Sequence, residues 1–376
     1  MLLGGRVRAL VDLSALRHNL AQLQALAPQA QLMPVIKADA YGHGAVRVAM
    51  ALQDRVPMFA VAAVSEAVAL REAGVQSRIC ILGGIQDASQ WQLCQSQRFL
   101  PVVHAQWQWE QLQALPSPPG FWLKFDTGMG RLGFAANQAA TLSAQLRAAP
   151  ALASGLQGVM THLACADSQD AEHTQAQLRC WEDLYQTHFS DYDPSTANSA
   201  ALLQWPQTRR GWVRPGLCLY GVSPLAEGAS HPSLRPALRL EARVLDVKTL
   251  PAGHSVGYGA IWQAPRDCRV AVVAIGYADG LVRLLGEDRG MWLAAAGGQR
   301  LPLRGRISMD MCVVELPSTT KVQAGDWLGV WGPRAMPVNE VARRAQTLSY
   351  ELLTGLRGRV AHLEAETDPS EAGIRG

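Results

Sequence analysis

The sequence predicts an α/β fold in which an N-terminal (β/α)8 barrel of the TIM type is followed by a C-terminal, mostly β domain. Up to about residue 235, short apolar runs alternate with longer amphipathic segments; after that point, alternating runs are separated by Gly, Pro and Asp turns. The chain has 376 residues, of which 48% are hydrophobic, so it can form two buried cores. We therefore predict a barrel domain over residues 1–235 and a β-rich domain over residues 236–376.

Eight apolar runs occupy the first part of the chain. They lie near residues 32, 58, 78, 99, 120, 156, 195 and 211 and read LMPVIKA, MFAVAA, RICILGG, FLPVVHA, GFWLKFD, LQGVMTHLA, STANSAA and GWVRPGLCLYG. Most segments between them favour helices; in DLSALRHNLAQLQAL, Leu13, Leu16, Leu20 and Leu23 recur at spacings of three and four. Eight strands alternating with helices are typical of a closed barrel. A doubly wound open sheet uses the same alternation and stays an alternative, because closure cannot be read from local sequence.

The second part of the chain has a sequence pattern that is typical of a β domain. Its alternating segments are LRLEARVLDVKTLPAG, DCRVAVVAIGYADG, MWLAAAGGQRLPLRGRISM and CVVELPSTTKVQAGDWLGVWG. A helical insert is predicted in NEVARRAQTLSYELL.

Composition argues against several classes of function. The formal charge of +3 is small and no block of like charges occurs, so nothing indicates binding to nucleic acid or to an anionic membrane. No apolar run is long enough to cross a bilayer, and the start MLLGGRVRAL lacks the apolar core of a signal peptide, so we expect a cytoplasmic protein. The seven cysteines are odd in number and scattered, which favours reduced thiols over disulfides or a zinc site.

The first apolar run ends in Lys37, within PVIKADAYGHG. The simplest interpretation is that its stem packs and its amine reaches solvent. In a barrel, however, strand ends form the catalytic face, and a desolvated lysine with a lowered pKa is what Schiff-base chemistry requires. Lys37 is therefore a candidate for covalent binding of a carbonyl group.

The fifth run, KFDTGMGRLGF, contains a glycine pattern that resembles a dinucleotide fingerprint. Gly128, Gly130 and Gly133 form G-x-G-x-x-G after a strand. The acidic residue expected about twenty positions later is missing, since the chain reads AAPALASG there. Nucleotide binding is therefore weakly supported. Lys124, Asp126 and Arg131 in this run could equally form a salt-bridged surface turn.

The last three runs end in polar residues. His162 follows the sixth, Asn198 and Ser199 the seventh, and Arg214-Pro215-Gly216-Leu217 the eighth. A lone histidine there is most often structural, but hydroxyl and glycine positions after strands seven and eight commonly bind phosphate in barrels. A strand-end lysine, a phosphate site and a nearby arginine together fit an enzyme that uses pyridoxal 5'-phosphate.

Eight sequence blocks resemble, in order, the signature blocks of alanine racemases. They are PVIKADAYGHG, KFDTGMGRLGF, THLACAD, ANSAA, VRPGLCLYGVSP, VGYGA, IGYADG and RGRISMD, and they span both predicted domains. The resemblance implies a pyridoxal-phosphate enzyme that interconverts L- and D-alanine. It also implies a homodimer whose active sites are shared between subunits.

The resemblance assigns roles that the residues alone do not. Lys37 corresponds to the lysine that binds the cofactor and acts on one face of the substrate, and Tyr258 to the base of the opposite face, contributed by the partner subunit. Arg214 corresponds to the arginine at the ring nitrogen, and His162 to the histidine beside the ring. The other cofactor-binding positions are Tyr41, Asn198, Ser199, Gly216, Leu217 and Tyr350.

The substrate carboxylate is assigned to Arg131 and to the amide of Met309 of the partner subunit. Lys124 corresponds to a lysine that is carbamylated in some members and orients Arg131. Residues at the entrance and around the site are Tyr277, Arg283 and Asp310.

Two departures from the family pattern are modest. Ser308 stands where many members have cysteine, and His254-Ser255 precedes the VGYGA block; neither removes a group that the chemistry uses. The main alternative is a racemase of broader specificity that acts on serine. The sequence leaves open whether the role is biosynthetic, supplying D-alanine for peptidoglycan, or catabolic. A decarboxylase of the same fold would place a carboxylate rather than Arg214 at the ring, and a single-domain cofactor-binding protein would lack the β domain.

Overall fold

The structure, a computed structural model, describes residues 5–168, 170–225 and 233–365. The chain divides into two compact units. The described residues of the barrel unit lie within 17–219 and 223–234, and those of the β unit lie within 5–16, 220–222 and 235–365.

The elements alternate along the first part of the chain as the sequence predicts. In chain order they are β1 (Val7–Val11), α1 (Leu13–Leu26), β2 (Gln31–Leu32), α2 (Lys37–Gly42), α3 (Ala45–Leu52), β3 (Met58–Val61), α4 (Val64–Glu72), β4 (Arg78–Ile81), α5 (Gln90–Gln97), β5 (Phe99–Val103), α6 (Gln106–Ala114), β6 (Phe121–Asp126), β7 (Phe134–Ala135), α7 (Ala139–Ala148), α8 (Pro150–Gly155), β8 (Leu156–Met160), α9 (Glu172–His188), β9 (Pro194–Ser195), α10 (Ser199–Gln204) and β10 (Trp212–Val213).

Backbone hydrogen bonds close the barrel strands into a ring. Parallel pairing runs in the order β3-β4-β5-β6-β8-β9, and β10 pairs with β2. The ring is completed by two junctions. Ile36 N–H donates to the Ala60 carbonyl at 2.8 Å, which joins the residues that follow β2 to β3. Arg214 N–H donates to the Ala197 carbonyl at 2.9 Å, which joins the residues that follow β10 to those that follow β9. Closure confirms the predicted barrel, and a doubly wound sheet, which keeps two open edges, is excluded.

The barrel interior is packed because its strands are apolar along almost their whole length. All residues of β3 and β5 are buried, as are the first five of β6. Such continuous burial is expected of parallel strands covered by helices on their outer face. The strands therefore hold their carboxyl ends, where the candidate residues lie, on a rigid core.

The β unit is built on a largely antiparallel sheet. Its elements are β11 (Leu238–Leu250), β12 (Ser255–Val256), β13 (Trp262–Gln263), β14 (Cys268–Val273), β15 (Trp292–Ala294), β16 (Arg300–Arg304), β17 (Cys312–Leu316), β18 (Trp327–Trp331), α11 (Val338–Arg344), α12 (Ser349–Thr354) and β19 (Ala361–Glu364). The strand order is β14-β17-β16-β15-β18-β11-β1-β19, and β11 also pairs with β14, so that six strands form a closed ring. The predicted helical insert is present as α11 and α12.

The division of the chain differs from the predicted one at its start. We placed residues 1–235 in one domain, but β1 pairs with β11, with Val7 opposite Ala242 and Val11 opposite Leu238. The pairing partner lies more than two hundred residues away, and local apolar alternation carries no information about it. Within the described residues, no helix is both long and apolar enough to cross a membrane.

Two tryptophans of α6 provide a matched test of the barrel packing. Trp109 is fully buried, meets Phe121 edge to face and donates its indole N–H to Gln145 at 2.7 Å, whereas Trp107 is 41% exposed. We expect Trp109→Ala to lower the free energy of unfolding by about 3–5 kcal/mol, and Trp107→Ala by less than about 1 kcal/mol. Urea unfolding followed by circular dichroism measures both. Equal losses in the two variants would contradict this packing.

Candidate active site at the carboxyl ends of the barrel strands

The candidate residues of the barrel unit gather at one end of the ring. Lys37 lies five residues after the end of β2, Lys124 lies near the end of β6, His162 follows β8, and Arg214 follows β10. Because all these strands are parallel, their carboxyl ends share one face of the barrel. This is the face on which the active sites of such barrels are built.

Lys37 is followed by a left-handed turn. Ala38, Asp39, Ala40 and Tyr41 all have φ between 50° and 53°. For residues with a side chain this conformation costs about 1–2 kcal/mol each. Strain of this kind persists only where surrounding contacts determine it, and it concentrates at functional sites. Nothing in the apolar pattern around KADAYG predicts this turn.

Contacts on both sides hold the turn in place. Ala40 N–H donates to Ile36 at 2.9 Å, Gly44 N–H to Asp39 at 2.9 Å, and Ala45 N–H to the Asp39 carboxylate at 2.6 Å. The turn therefore fixes the half-buried Lys37 at its start and the buried Tyr41 near its end.

Glu66 is a residue of this site that the sequence analysis missed. One oxygen of its carboxylate accepts the N–H of Ala38 at 2.7 Å, and the other accepts those of Ala62 and Ala63 at 2.7 and 3.1 Å. Glu66 thereby anchors the residue next to Lys37 to the start of α4. Its position as the third residue of a helix is the only sequence signal, and that signal indicates a capping role and no more.

Cations dominate the interior of the candidate site. Burial, followed by the charge of Arg131, lowers the pKa of Lys37, although Glu66 opposes this. Burial, followed by the charges of Arg214 and Arg131, lowers the pKa of Lys124 to about 8. Both amines therefore lose their protons more readily than exposed lysines, and the site is suited to anionic groups.

Asp126 does not neutralise this cluster by ion pairing. Its carboxylate accepts the N–H groups of Gly128 at 2.9 Å, Met129 at 2.8 Å and Arg131 at 3.1 Å. In the part of the chain that the structure describes, Asp126 forms no salt bridge with Lys124 or Arg131. The salt-bridged turn considered from the sequence is thus not what forms here.

The glycines of the nucleotide-like pattern serve the same loop. Gly128, Gly130 and Gly133 all have positive φ, and a Cβ on Gly133 would lie 2.4 Å from the backbone nitrogen of Asp126. The pattern is explained by a tight turn around the Asp126 carboxylate. It needs no dinucleotide.

Arg214 is the most buried charge of the site. Nη1 donates to the carbonyl and hydroxyl oxygens of Ser195 at 2.8 and 2.6 Å, and Nη2 donates to the Thr161 carbonyl at 2.7 Å. Burial lowers its pKa to about 10, which still leaves it cationic at neutral pH. Its Nε–H has no acceptor in the described part of the chain, so one fixed donor remains available to a ligand.

His162 is neutral beside this arginine. Burial, followed by the charge of Arg214, holds its pKa well below the usual value. Its Nδ1 lies 3.4 Å from Nη2 of Arg214, which can only donate, so Nδ1 accepts and the ring proton is on Nε2. A neutral imidazole can pack against an uncharged aromatic ring without further desolvation cost.

Hydroxyl and amide groups converge next to Gly216. Gly216 N–H donates to Ser199 Oγ at 2.8 Å, and a Cβ on Gly216 would lie 2.7 Å from Tyr41 Oη and 3.7 Å from Ser199 Oγ. Asn198 fixes the start of α10 by accepting Ala201 N–H at 3.0 Å. Leu217 begins a 3₁₀ turn, and its N–H has no acceptor among the described residues. These donors, next to a cationic interior, fit the phosphate group of pyridoxal phosphate, and the Arg214 Nε–H fits its ring nitrogen.

The remaining predicted residues belong to the β unit. Tyr258, Tyr277, Met309 and Tyr350 are 71%, 41%, 52% and 38% exposed. In the same unit, Arg283 begins a 3₁₀ turn and Asp310 lies in a loop. Tyr277 N–H donates to Ser308 at 3.2 Å, and Gly257 packs near Arg306, so the Tyr258 and Met309 loops are neighbours within the unit. Exposed aromatic and apolar side chains in adjacent loops indicate an interaction surface.

A separate cavity of about 440 Å³ lies on the outside of the barrel unit. Its walls are Gln175, Leu178, Arg179, Trp181, Glu182, Thr196, Gln207, Thr208 and Arg210. None of the predicted site residues lines it, so it is not the candidate active site.

Comparison with known proteins places the whole chain in one group. The model of the alanine racemase N-terminal domain matches residues 11–224, and that of the C-terminal domain matches residues 237–363. The alanine racemase of Nitrosococcus oceani is 43% identical over 94% of this chain and 98% of its own length. That of Shewanella denitrificans is 42% identical over 94% and 97%.

Comparison with solved structures also finds alanine racemases. The biosynthetic alanine racemase of Pseudomonas aeruginosa is similar with a TM-score of 0.87 and 39% identity over 96% of this chain and 100% of that one. The alanine racemase of Streptomyces lavendulae gives 0.88 and 34% over 98% and 99%. That of Bartonella henselae, which carries covalently bound pyridoxal phosphate, gives 0.84 and 27% over 96% and 100%.

The converging donors at Gly216 predict how one methyl group alters binding. In Gly216→Ala, the new Cβ occupies the space between Tyr41 and Ser199. We expect the affinity for pyridoxal 5'-phosphate to fall about 10–100-fold, because one or two hydrogen bonds to the charged phosphate are lost. The affinity for pyridoxal, which lacks the phosphate, should change little. Titration followed by absorbance measures both ligands. An equal loss for the two would show that the methyl group acts elsewhere; Gly358→Ala, with no atom within 4 Å of its Cβ, is the control.

Proposed function

The chain belongs to the alanine racemase family and is a pyridoxal-phosphate-dependent racemase of alanine, and we propose that Lys37 and Tyr258 are its two bases. The observation that carries this is the desolvated amine of Lys37 at the same end of the barrel as Arg214, whose Nε–H is available to a ring nitrogen. When bound, pyridoxal phosphate supplies a conjugated ring that stabilises negative charge at the substrate's α-carbon. Racemisation then requires proton transfer on both faces of that carbon.

The barrel unit provides the cofactor site. We propose that Lys37 binds the cofactor covalently, that Arg214 donates to the ring nitrogen, and that His162 packs beside the ring. The phosphate is assigned to Tyr41, Ser199, Gly216, Leu217 and Tyr350. Arginine can donate hydrogen bonds but cannot accept one. A ring nitrogen bonded to Arg214 would therefore be the acceptor and carry no proton.

Proton transfer is divided between an amine and a phenol. The lowered pKa of Lys37 means that its Nζ is deprotonated more readily than that of an exposed lysine, so that it can accept a proton on one face of the α-carbon. The Tyr258 hydroxyl gives or takes the proton on the opposite face. Arg131, with Met309 of the partner subunit, binds the substrate carboxylate and so presents the α-carbon between the two bases.

We propose that the active form is a homodimer with shared sites. Tyr258 is 71% exposed in its own chain, and a general base working in water would lack a fixed position. Tyr277 and Met309, in neighbouring loops, are also exposed. A second copy of this chain, seated on these loops, would bury them and bring Tyr258 to the barrel of its neighbour; Arg283 and Asp310 would then lie at the entrance.

Mixing two inactive variants tests the shared site. Lys37→Ala and Tyr258→Phe should each lose at least about a hundredfold in racemisation rate, the usual contribution of a general base. If sites are shared, a mixed dimer contains one site with both native residues, so co-expression should restore about one quarter of wild-type activity. Racemisation is followed by chiral analysis of alanine.

Two outcomes would contradict the shared site. If the mixed protein is as inactive as its parents, both bases come from one chain. If Tyr258→Phe alone is as active as the matched control Tyr192→Phe, Tyr258 is not a base.

We further propose that Lys124 carries a carbamate. Its pKa of about 8 leaves a useful fraction as free amine at neutral pH, and Arg214 and Arg131 surround it. The Nζ lone pair attacks CO2 and forms an N–C bond, one C=O becomes C–O⁻, and Nζ releases a proton to water. The product is an anion that pairs with Arg131 and holds it toward the substrate carboxylate.

Isotope labelling tests the carbamate. Wild-type protein equilibrated with ¹³C-bicarbonate should give a carbamate signal in its ¹³C spectrum, because the buried group exchanges slowly with solvent. Lys124→Met should lack that signal, and the exposed-site control Lys321→Met should retain it. Identical spectra from wild type and Lys124→Met would contradict the proposal.

Three further assignments complete the proposal. The substrate is alanine and not serine, in line with the curated relatives. The likeness to the biosynthetic enzyme of Pseudomonas aeruginosa supports a role in supplying D-alanine. We also propose a cytoplasmic location, in line with the free thiols of all seven cysteines, since disulfides are rare in cytosolic proteins.

A further inference from the structure

We propose that Arg359 and Asp279 are positioning residues that aim the peptide N–H of Met309 at the substrate carboxylate bound by the neighbouring subunit. The inference rests on the proposed function, which gives this N–H its ligand. It concerns two turns of the β unit and one guanidinium that links them.

The two turns lie directly against each other. Tyr277 N–H donates to the Ser308 carbonyl at 3.2 Å, and Ala278 N–H donates to the Met309 carbonyl at 3.0 Å. The approach is possible because residue 276 is glycine: a Cβ there would lie 2.3 Å from both the Ser308 and Met309 oxygens. The orientation of two consecutive peptide groups is therefore determined by the neighbouring turn.

Peptide planarity then fixes the direction of the Met309 N–H. In a trans peptide, the N–H points opposite to the C=O of the same unit. Since the Ser308 carbonyl points at Tyr277, the N–H of Met309 points away from that turn. It has no acceptor among residues 233–365, and Met309 is 52% exposed, so this donor is available to an anion.

Arg359 ties both turns to one planar group. Its Nε donates to Asp279 Oδ1 at 2.6 Å, and its Nη2 donates to Asp310 Oδ1 at 2.7 Å and lies 3.5 Å from the Met309 carbonyl oxygen. Asp279 in turn accepts Gly276 N–H through Oδ2 at 2.8 Å, which closes the first turn on itself. The Asp279 carboxylate, the guanidinium and the Met309 turn thus form one connected unit.

Burial distinguishes the two carboxylates. The side chain of Asp279 is 5% exposed and that of Asp310 is 38% exposed. Asp279 is the buried end that holds Arg359 against the fold, and Asp310 is the more exposed end, in the surface loop that Arg359 restrains. Arg6 supports the same loop by donating to the Asp310 carbonyl at 2.7 Å.

The test compares four variants of the full, cofactor-loaded enzyme. Arg359→Met removes the link, Arg359→Lys retains the charge but cannot bond both carboxylates with fixed geometry, and Asp279→Asn removes the buried charge. Arg357→Met is the matched control: it is also an exposed arginine of this segment, and its side chain has no partner in the described part of the chain.

Two readouts separate positioning from general stability. We expect KM for alanine to rise about tenfold in Arg359→Met and Asp279→Asn, less in Arg359→Lys, with kcat within about threefold of wild type, because a carboxylate contact is lost while both bases stay. Inhibition by propionate, a bare carboxylate, should weaken by the same factor. Inhibition by ethylamine, which lacks the carboxylate, should not change.

Each outcome bears on one claim. Unchanged KM and propionate inhibition in Arg359→Met, with wild type racemising alanine normally, would overturn the positioning role and leave the proposed function intact. A wild type that does not racemise alanine would overturn the proposed function itself. If Arg359→Met does not fold or assemble, Arg359→Lys and Asp279→Asn decide the matter, and equal weakening of propionate and ethylamine would count against the proposal.

Discussion

The site depends on one constraint: the carboxyl end of the barrel contains several cations, and no carboxylate in the described part of the chain forms an ion pair with them. Arg214 stays charged because it is bonded to the carbonyls of Ser195 and Thr161, not to an acid. Burial, together with its charge and those of Arg131 and the lysines, lowers the pKa of Lys124 and His162, and burial together with the charge of Arg131 lowers that of Lys37. A site of this kind favours the binding of anions, as a phosphate-bearing cofactor requires. It also favours the neutral forms of its amines and imidazole, as proton transfer requires.

The fold supplies the rigidity that this arrangement needs. A closed ring of strands with a fully apolar interior fixes where each strand ends. The left-handed turn after Lys37 is tolerable only because Glu66, Asp39 and Ile36 bond to it from both sides. The free-energy cost of the left-handed backbone thus falls next to Lys37, where the direction of the amine matters, and the surrounding contacts offset it.

Much of this could be read from the sequence, and the remainder could not for identifiable reasons. The eight apolar runs gave the strand positions, and the strand-end rule placed Lys37, His162 and Arg214 together. Closure of the barrel and the pairing of Val7–Val11 with Leu238–Leu250 depend on partners far away in the chain, which local periodicity does not encode. Glu66 was missed because its function lies in bonds to Ala38 across two elements. Tyr258 could be selected only by family resemblance, since an exposed tyrosine in a β domain has no distinguishing local pattern.

The most direct measurement identifies the lysine that binds the cofactor. Protein loaded with pyridoxal phosphate is reduced with borohydride, which converts the C=N bond to a stable amine, and the modified peptide is sequenced by mass spectrometry. The account predicts the label on Lys37 alone, although Lys124 also has a lowered pKa, because Lys37 shares one turn with Tyr41, whose hydroxyl lies next to Gly216. Label on Lys124, or spread over surface lysines, would contradict it.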